Sequence, residues 1–213
     1  MLYVAHLSKD KKLKKIIDEQ PAVRLKKEKN ICVYLCYSII SQQLSTKVAT
    51  IISQRFLDLY NGQEPTAQQI VETPFEKLRG IGMSNAKTNY VQNVARFELE
   101  QGMEFTNLNK MSDEEVIEYL TQIKGVGRWT SEMLLMFALC REDVFAVDDL
   151  GVQIAMAKIY KIDNIDKKQL KEKMIQLSNK WSPYRTYACL HLWQWKDNAP
   201  TVKEKKTTEK KGD

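Results

Sequence analysis

Thr121-Gln-Ile-Lys-Gly-Val-Gly-Arg-Trp-Thr130, followed by Val144-Phe-Ala-Val-Asp-Asp-Leu-Gly151, decides the reading of this chain. The first stretch reads as the end of one helix, a tight Gly-x-Gly hairpin and the start of another. Glycines at 125 and 127 remove the side chains that would keep a phosphate from backbone N–H groups at a helix N-terminus. The second stretch reads as a short extended link that delivers Asp148 and Asp149 to a new helix, Leu150–Tyr160. An aspartate there serves as an N-cap, and spacing alone does not separate a capping pair from a catalytic carboxylate.

Working outward, the pattern is helical nearly everywhere. Apolar residues recur at helical spacing through Ile31–Leu59. Thr66-x-x-Gln69, Thr73-Pro74-x-Glu76, Ser112-x-x-Glu115 and Asp166-x-x-Gln169 read as capping-box starts, the second with Pro at the first helical position. Period-2 alternation is absent, so an all-α fold is expected. From Ala199 the chain is Lys, Glu and Thr with nothing apolar to bury, which predicts disorder.

At 213 residues and 43% hydrophobic content, the chain can bury a core as one domain or two small lobes. The net charge of +6 is unevenly placed: residues 1–30 hold nine Lys/Arg against four acids, and 201–213 five against three. The 170 residues between are slightly negative, so any phosphate binding must come from local placement rather than bulk charge. Cys32, Cys36, Cys140 and Cys189 make no Cys-x-x-Cys pair and no zinc or iron–sulfur spacing, which predicts free thiols in a reducing, cytoplasmic setting. No apolar run approaches membrane-spanning length and no signal-peptide pattern opens the chain.

Five ordered blocks carry a resemblance: Ser41–Ser45, Leu78-Arg79-x-x-Gly82-Met83-Ser84-x-x-Lys87, Gly125–Thr130, Val147-Asp148-Asp149, and Trp181-x-Pro183-Tyr184-Arg185-x-Tyr187-Ala188 with Trp193. In these the chain resembles the helix-hairpin-helix (HhH-GPD) superfamily of DNA glycosylases, in its monofunctional 3-methyladenine DNA glycosylase II group. The resemblance implies two helical lobes with a cleft between them: a basic N-terminal segment (1–30) returning to the second lobe, a first lobe (31–110), a second (111–196) with hairpin and catalytic Asp, and a disordered tail (197–213). It implies a monomer acting on duplex DNA that contains alkylated bases, nucleoid-associated if bacterial. The mixed α/β domain and the iron–sulfur loop of some relatives have no counterpart in this sequence.

The resemblance also assigns roles. Asp149, rather than Asp148, stabilises the oxocarbenium-like sugar or orients water as the N-glycosidic bond breaks. Trp129 stands where backbone-cutting relatives carry a Schiff-base lysine, so water is the nucleophile and an abasic site the product. Trp129, Trp193, Tyr187 and Met133 wall a pocket suited to cationic methylated purines. Gln43, Leu44 and Met83 insert into the duplex as the base leaves the stack. Gly125, Gly127, Lys124, Arg128 and Lys87 contact phosphates, and the carbonyls of Thr121 and Ile123 are offered to a sodium or potassium ion; no cofactor is required. Two alternatives stand beside this one: a glycosylase of the same fold for an oxidised or deaminated base, and a helix-hairpin-helix protein that binds damaged DNA without cutting it.

Overall fold

The computed structural model describes residues 1–163 and 165–198; the tail from Ala199 lies outside the described residues. Those residues contain helices and turns and no strand, in agreement with the all-α expectation. In chain order the helices are α1 (Leu2–Leu7), α2 (Lys11–Asp18), α3 (Ile31–Ser41), α4 (Thr46–Asp58), α5 (Ala67–Glu72), α6 (Phe75–Gly80), α7 (Asn85–Glu100) and α8 (Phe105–Leu108). There follow α9 (Asp113–Thr121), α10 (Arg128–Phe137), α11 (Leu150–Tyr160), α12 (Lys167–Ser178), a 3-10 turn (Asn179–Trp181) and α13 (Arg185–Asn198). Asp197 and Asn198, which the bounds expected from the resemblance place in the tail, are the last residues of α13.

Local chemistry sets the helix starts. Thr66, Ser112 and Asp166 each form a complete capping box, with Gln69, Glu115 and Gln169 returning the bond. Thr73 does not cap α6. Pro74 takes the N-cap position itself, and the Thr73 hydroxyl turns back to the Gln69 carbonyl at 2.7 Å. A threonine whose hydroxyl finds the preceding turn has no reason to serve the following one.

Helix α3 is the spine of the first group, apolar nearly all round and packed on α4 and α7, with α5 and α6 also packed on α7. In the second group α9 packs on α10, and α11 on α12 and α13; α10 meets α3 across the two. The N-terminal segment returns to this second group. The Tyr3 ring stacks on Tyr187 at 4.1 Å, and Gln20 pairs with His191 through both its Nε2 and its Oε1. Asp10, the N-cap of α2, accepts from Tyr160 and from Trp181 Nε1 at 3.0 Å, which seals α2 against α11 and the 3-10 turn.

Candidate active site

Asp149 is the N-cap of α11. Its Oδ1 accepts the Val152 N–H at 2.9 Å, the bond a capping carboxylate makes. Two indoles complete its shell: Trp193 Nε1 donates to Oδ1 at 2.6 Å, and Trp129 Nε1 donates to Oδ2 at 2.9 Å. Both carboxylate oxygens are therefore oriented by donors that cannot accept a proton in return. Asp148 lies outside this cluster, exposed and paired with Lys171, so only Asp149 is built into a site.

The indoles come from different elements. Trp129 is the second residue of α10 and remains 42% exposed. Trp193 projects from α13 and stacks on Phe137 with centroids 6.0 Å apart. Phe137 lies two helical turns beyond Trp129 on α10, an aromatic backing for Trp193 that the sequence reading missed although its spacing was visible. Gly151 was missed as well. A Cβ there would stand 2.9 Å from Trp193 Cδ1 and 3.1 Å from Asp149 Oδ1, so glycine is what allows the indole to reach the carboxylate.

Other proposed pocket residues are placed differently. Met133 is 7% exposed, and its carbonyl accepts the Tyr34 hydroxyl at 3.1 Å; it is packed floor rather than open wall. Tyr187 does not join the Asp149 cluster. It stacks on Tyr3 and donates to Glu142 Oε1 at 2.7 Å, closing the N-terminal segment onto α13. Six residues along a helix turn a side chain well away from Trp193, which nearness in sequence does not convey.

The hairpin between α9 and α10 has a physical reason for its first glycine. Gly125 has φ +112°, and a Cβ there would lie 2.3 Å from Tyr90 Cγ. Asn93 Nδ2 donates to the Lys124 carbonyl at 3.1 Å, so Tyr90 and Asn93, both on α7, support the hairpin together. Gly127 is the N-cap of α10 and offers no side-chain cap to the amides that follow; a Cβ there would meet nothing within 4 Å. Those free amides and that open approach make a place for an anion.

Arg128 is not free to act as a phosphate ligand here. Its fork bonds Glu114 at 2.7 and 2.9 Å, and its Nε bonds Glu132 at 3.2 Å. Glu132 is buried with Oε2 unpartnered, and burial pushes its carboxyl up to about 7 despite Arg128.

Of the three inserting candidates, Gln43 is exposed at φ +57° and Leu44 is half-open beside it. Leu44 also lines a cavity of about 600 Å³ between α3 and α4, with Tyr34, Tyr37, Ser38 and Thr50. Met83 is 5% exposed and belongs to the core, so it is not presented for insertion. An apolar residue between Gly82 and Ser84 fits either fate in sequence, and burial decides. Lys87 likewise departs from its phosphate role: its ammonium donates to the carbonyls of Ile40 at 2.8 Å and Gln42 at 2.6 Å.

Residues 36–181 match the HhH-GPD superfamily of base excision DNA repair proteins, and the chain belongs to that family. It is 35% identical to DNA-3-methyladenine glycosylase 1 of Schizosaccharomyces pombe, over 86% of this chain and 80% of that protein. The structure of the S. pombe 3-methyladenine DNA glycosylase in complex with abasic DNA superimposes with a TM-score of 0.81 at 33% identity, covering 95% of this chain and all of that one. A DNA-3-methyladenine glycosidase from Bacillus halodurans gives 0.80 at 34% identity, over 92% and 89%. Among the described residues no helix is long and apolar enough to cross a membrane, and no cluster of His, Cys, Asp and Glu could hold a metal ion.

Proposed function

We propose that the chain is a monofunctional DNA glycosylase of base excision repair, hydrolysing the N-glycosidic bond of alkylated purines of the 3-methyladenine and 7-methylguanine type in duplex DNA. The observation that carries this is the Asp149 carboxylate held by Trp129 and Trp193, with Trp129 itself exposed. A purine methylated on a ring nitrogen is cationic, and an electron-rich ring attracts it by roughly 0.5–2 kcal/mol beyond stacking. The same positive charge makes it a good leaving group. The C1′–N bond breaks with its electron pair going to the base, which departs neutral, and the positive charge passes to the sugar. Asp149 faces that developing charge and orients the water that adds to C1′; the water's proton is lost to solvent or to the carboxylate. The 3-methyladenine glycosylase names of the relatives at 33–35% identity support the substrate class.

Trp129 has no amine, so no Schiff base forms at its position and the product is an intact abasic strand. Borohydride added during turnover is expected to trap no covalent protein–DNA adduct. The α10 amides after Gly127, with the Gly125 turn, grip a phosphate. At the carbonyl end of α9, Thr121 and Ile123 supply backbone oxygens suited to a hard monovalent cation, although the Ile123 carbonyl already accepts the Val126 N–H at 2.9 Å. Such an ion would add positive charge beside the phosphate.

Release of free base from methylated duplex DNA, wild type against Asp149→Asn, tests the reading. Asparagine keeps the cap acceptor, so the variant folds and binds DNA but releases no base. A variant as active as wild type removes Asp149 from the chemistry.

A further inference from the structure

Helix α3 ends at Ser41, and a turn of four residues, Gln42 to Ser45, leads into α4. The last carbonyls of a helix have no partner within it, and the end of the helix favours positive charge. Here the partner comes from far along the chain. Lys87, in the first turn of α7, lays its Nζ on the carbonyls of Ile40 and Gln42, 47 and 45 residues before it. The group is half-buried, and burial lowers its pKa. At the other end of the turn, Ser45 caps α4 through the Val48 N–H. Between these two anchors Gln43 adopts φ +57°, a left-handed conformation that a residue with a Cβ takes only when its surroundings impose it, and its side chain is exposed.

We propose that Lys87 is a positioning residue for base flipping: its ammonium group, by fixing the Ile40 and Gln42 carbonyls, holds the strained Gln43 turn in the outward form that enters the duplex. This rests on the reading of Gln43 as the inserting side chain. Helix α7 is suited to the task because it also carries Tyr90 and Asn93, the supports of the phosphate-gripping hairpin. These lie one and two turns beyond Lys87, so the insertion point and the grip are braced from positions about 9 Å apart along one rigid helix.

The test compares Lys87→Met, Lys87→Arg, Gln43→Ala and the Lys87→Met/Gln43→Ala double variant, with thermal unfolding confirming that each is folded. Insertion is read as the fluorescence of 2-aminopurine opposite an abasic-site analogue, and chemistry as single-turnover release from methylated duplex. Lys87→Met is expected to lower both by about tenfold or more, since small misplacements of a reacting geometry carry costs of that order. Its affinity for undamaged duplex, and the salt dependence of that affinity, should stay as in wild type. Lys87→Arg, which can reach the same carbonyls, should recover most of the loss. The double variant should be no worse than Gln43→Ala alone, because Lys87 acts through the turn. A fall of about 0.9 in the slope of log affinity against log salt, with insertion intact, would make Lys87 a phosphate ligand and overturn the proposal. Impaired Gln43→Ala with silent Lys87→Met removes the role of Lys87 alone. Silent Gln43→Ala removes the inserting role of Gln43, and with it the basis for Lys87.

Discussion

Trp193 donates its indole N–H to Asp149 Oδ1 at 2.6 Å, and its ring is held from behind by Phe137. The bond joins the C-terminal helix to the N-cap of α11 and makes an aromatic wall part of the carboxylate's own shell. Trp193→Phe keeps a ring against Phe137 and deletes only the donor. A hydrogen bond to a charged group contributes about 1.5–3 kcal/mol. Single-turnover base release should therefore fall roughly tenfold to a hundredfold, with affinity for undamaged duplex little changed. Equal loss of both would mean that Trp193 only supports the fold.

Gly151 makes that bond geometrically possible. In Gly151→Ala the new methyl stands 2.9 Å from Trp193 Cδ1, and the indole must swing off the carboxylate. The variant should lose activity to about the extent of Trp193→Phe, and combining the two should add little, since both break one interaction. Additive losses in the double variant would refute the link.

The two hairpin glycines should separate by kind. Gly125→Ala forces a Cβ into Tyr90 at φ +112° and is expected to cost more than about 2 kcal/mol of stability. Gly127→Ala meets no neighbour and costs below about 1 kcal/mol as an N-cap change. It narrows the approach to the α10 amides, so duplex affinity falls instead. Urea unfolding and a duplex titration on both proteins check this, and a reversal of the two effects would sink it.

Two buried groups tilt stability with pH in opposite senses. Burial, opposed by Arg128 and reinforced by Asp148 and Glu114, raises Glu132 from 4.5 to about 7. Its contribution is full below about 4.5 and is lost as pH rises towards 7. Burial lowers His191 from 6.5 to about 4, so its contribution is full above 6.5 and is lost as pH falls. Each slope is at most about 1.4 kcal/mol per pH unit. Glu132→Gln removes one of them: its melting temperature relative to wild type should be higher at pH 7.5 than at pH 4.5. The opposite trend would show that Glu132 is stabilised as an anion by Arg128.

What the sequence disclosed was local. The capping boxes at Thr66, Ser112 and Asp166, the hairpin at Gly125 and the cap at Asp149 each depend on residues within a few positions, and each forms in the structure. Family resemblance brought Trp193 to the Asp149 neighbourhood across 44 residues, which no spacing argument reaches. The same resemblance gave roles to Tyr187, Arg128 and Lys87 whose side chains the structure engages elsewhere. Tyr187 answers to Tyr3, Arg128 to Glu114 and Lys87 to carbonyls of α3, all partners distant in sequence. A lysine beside a turn looks the same in sequence whether it meets an anion or a helix end, and only packing tells them apart.

Helix α7 touches no reacting atom, yet it stands under both the Gln43 turn and the Gly125 hairpin. A single rod beneath both fixes the distance between them, so the spacing of turn and hairpin follows from the rise of one helix and not from the packing of two loops.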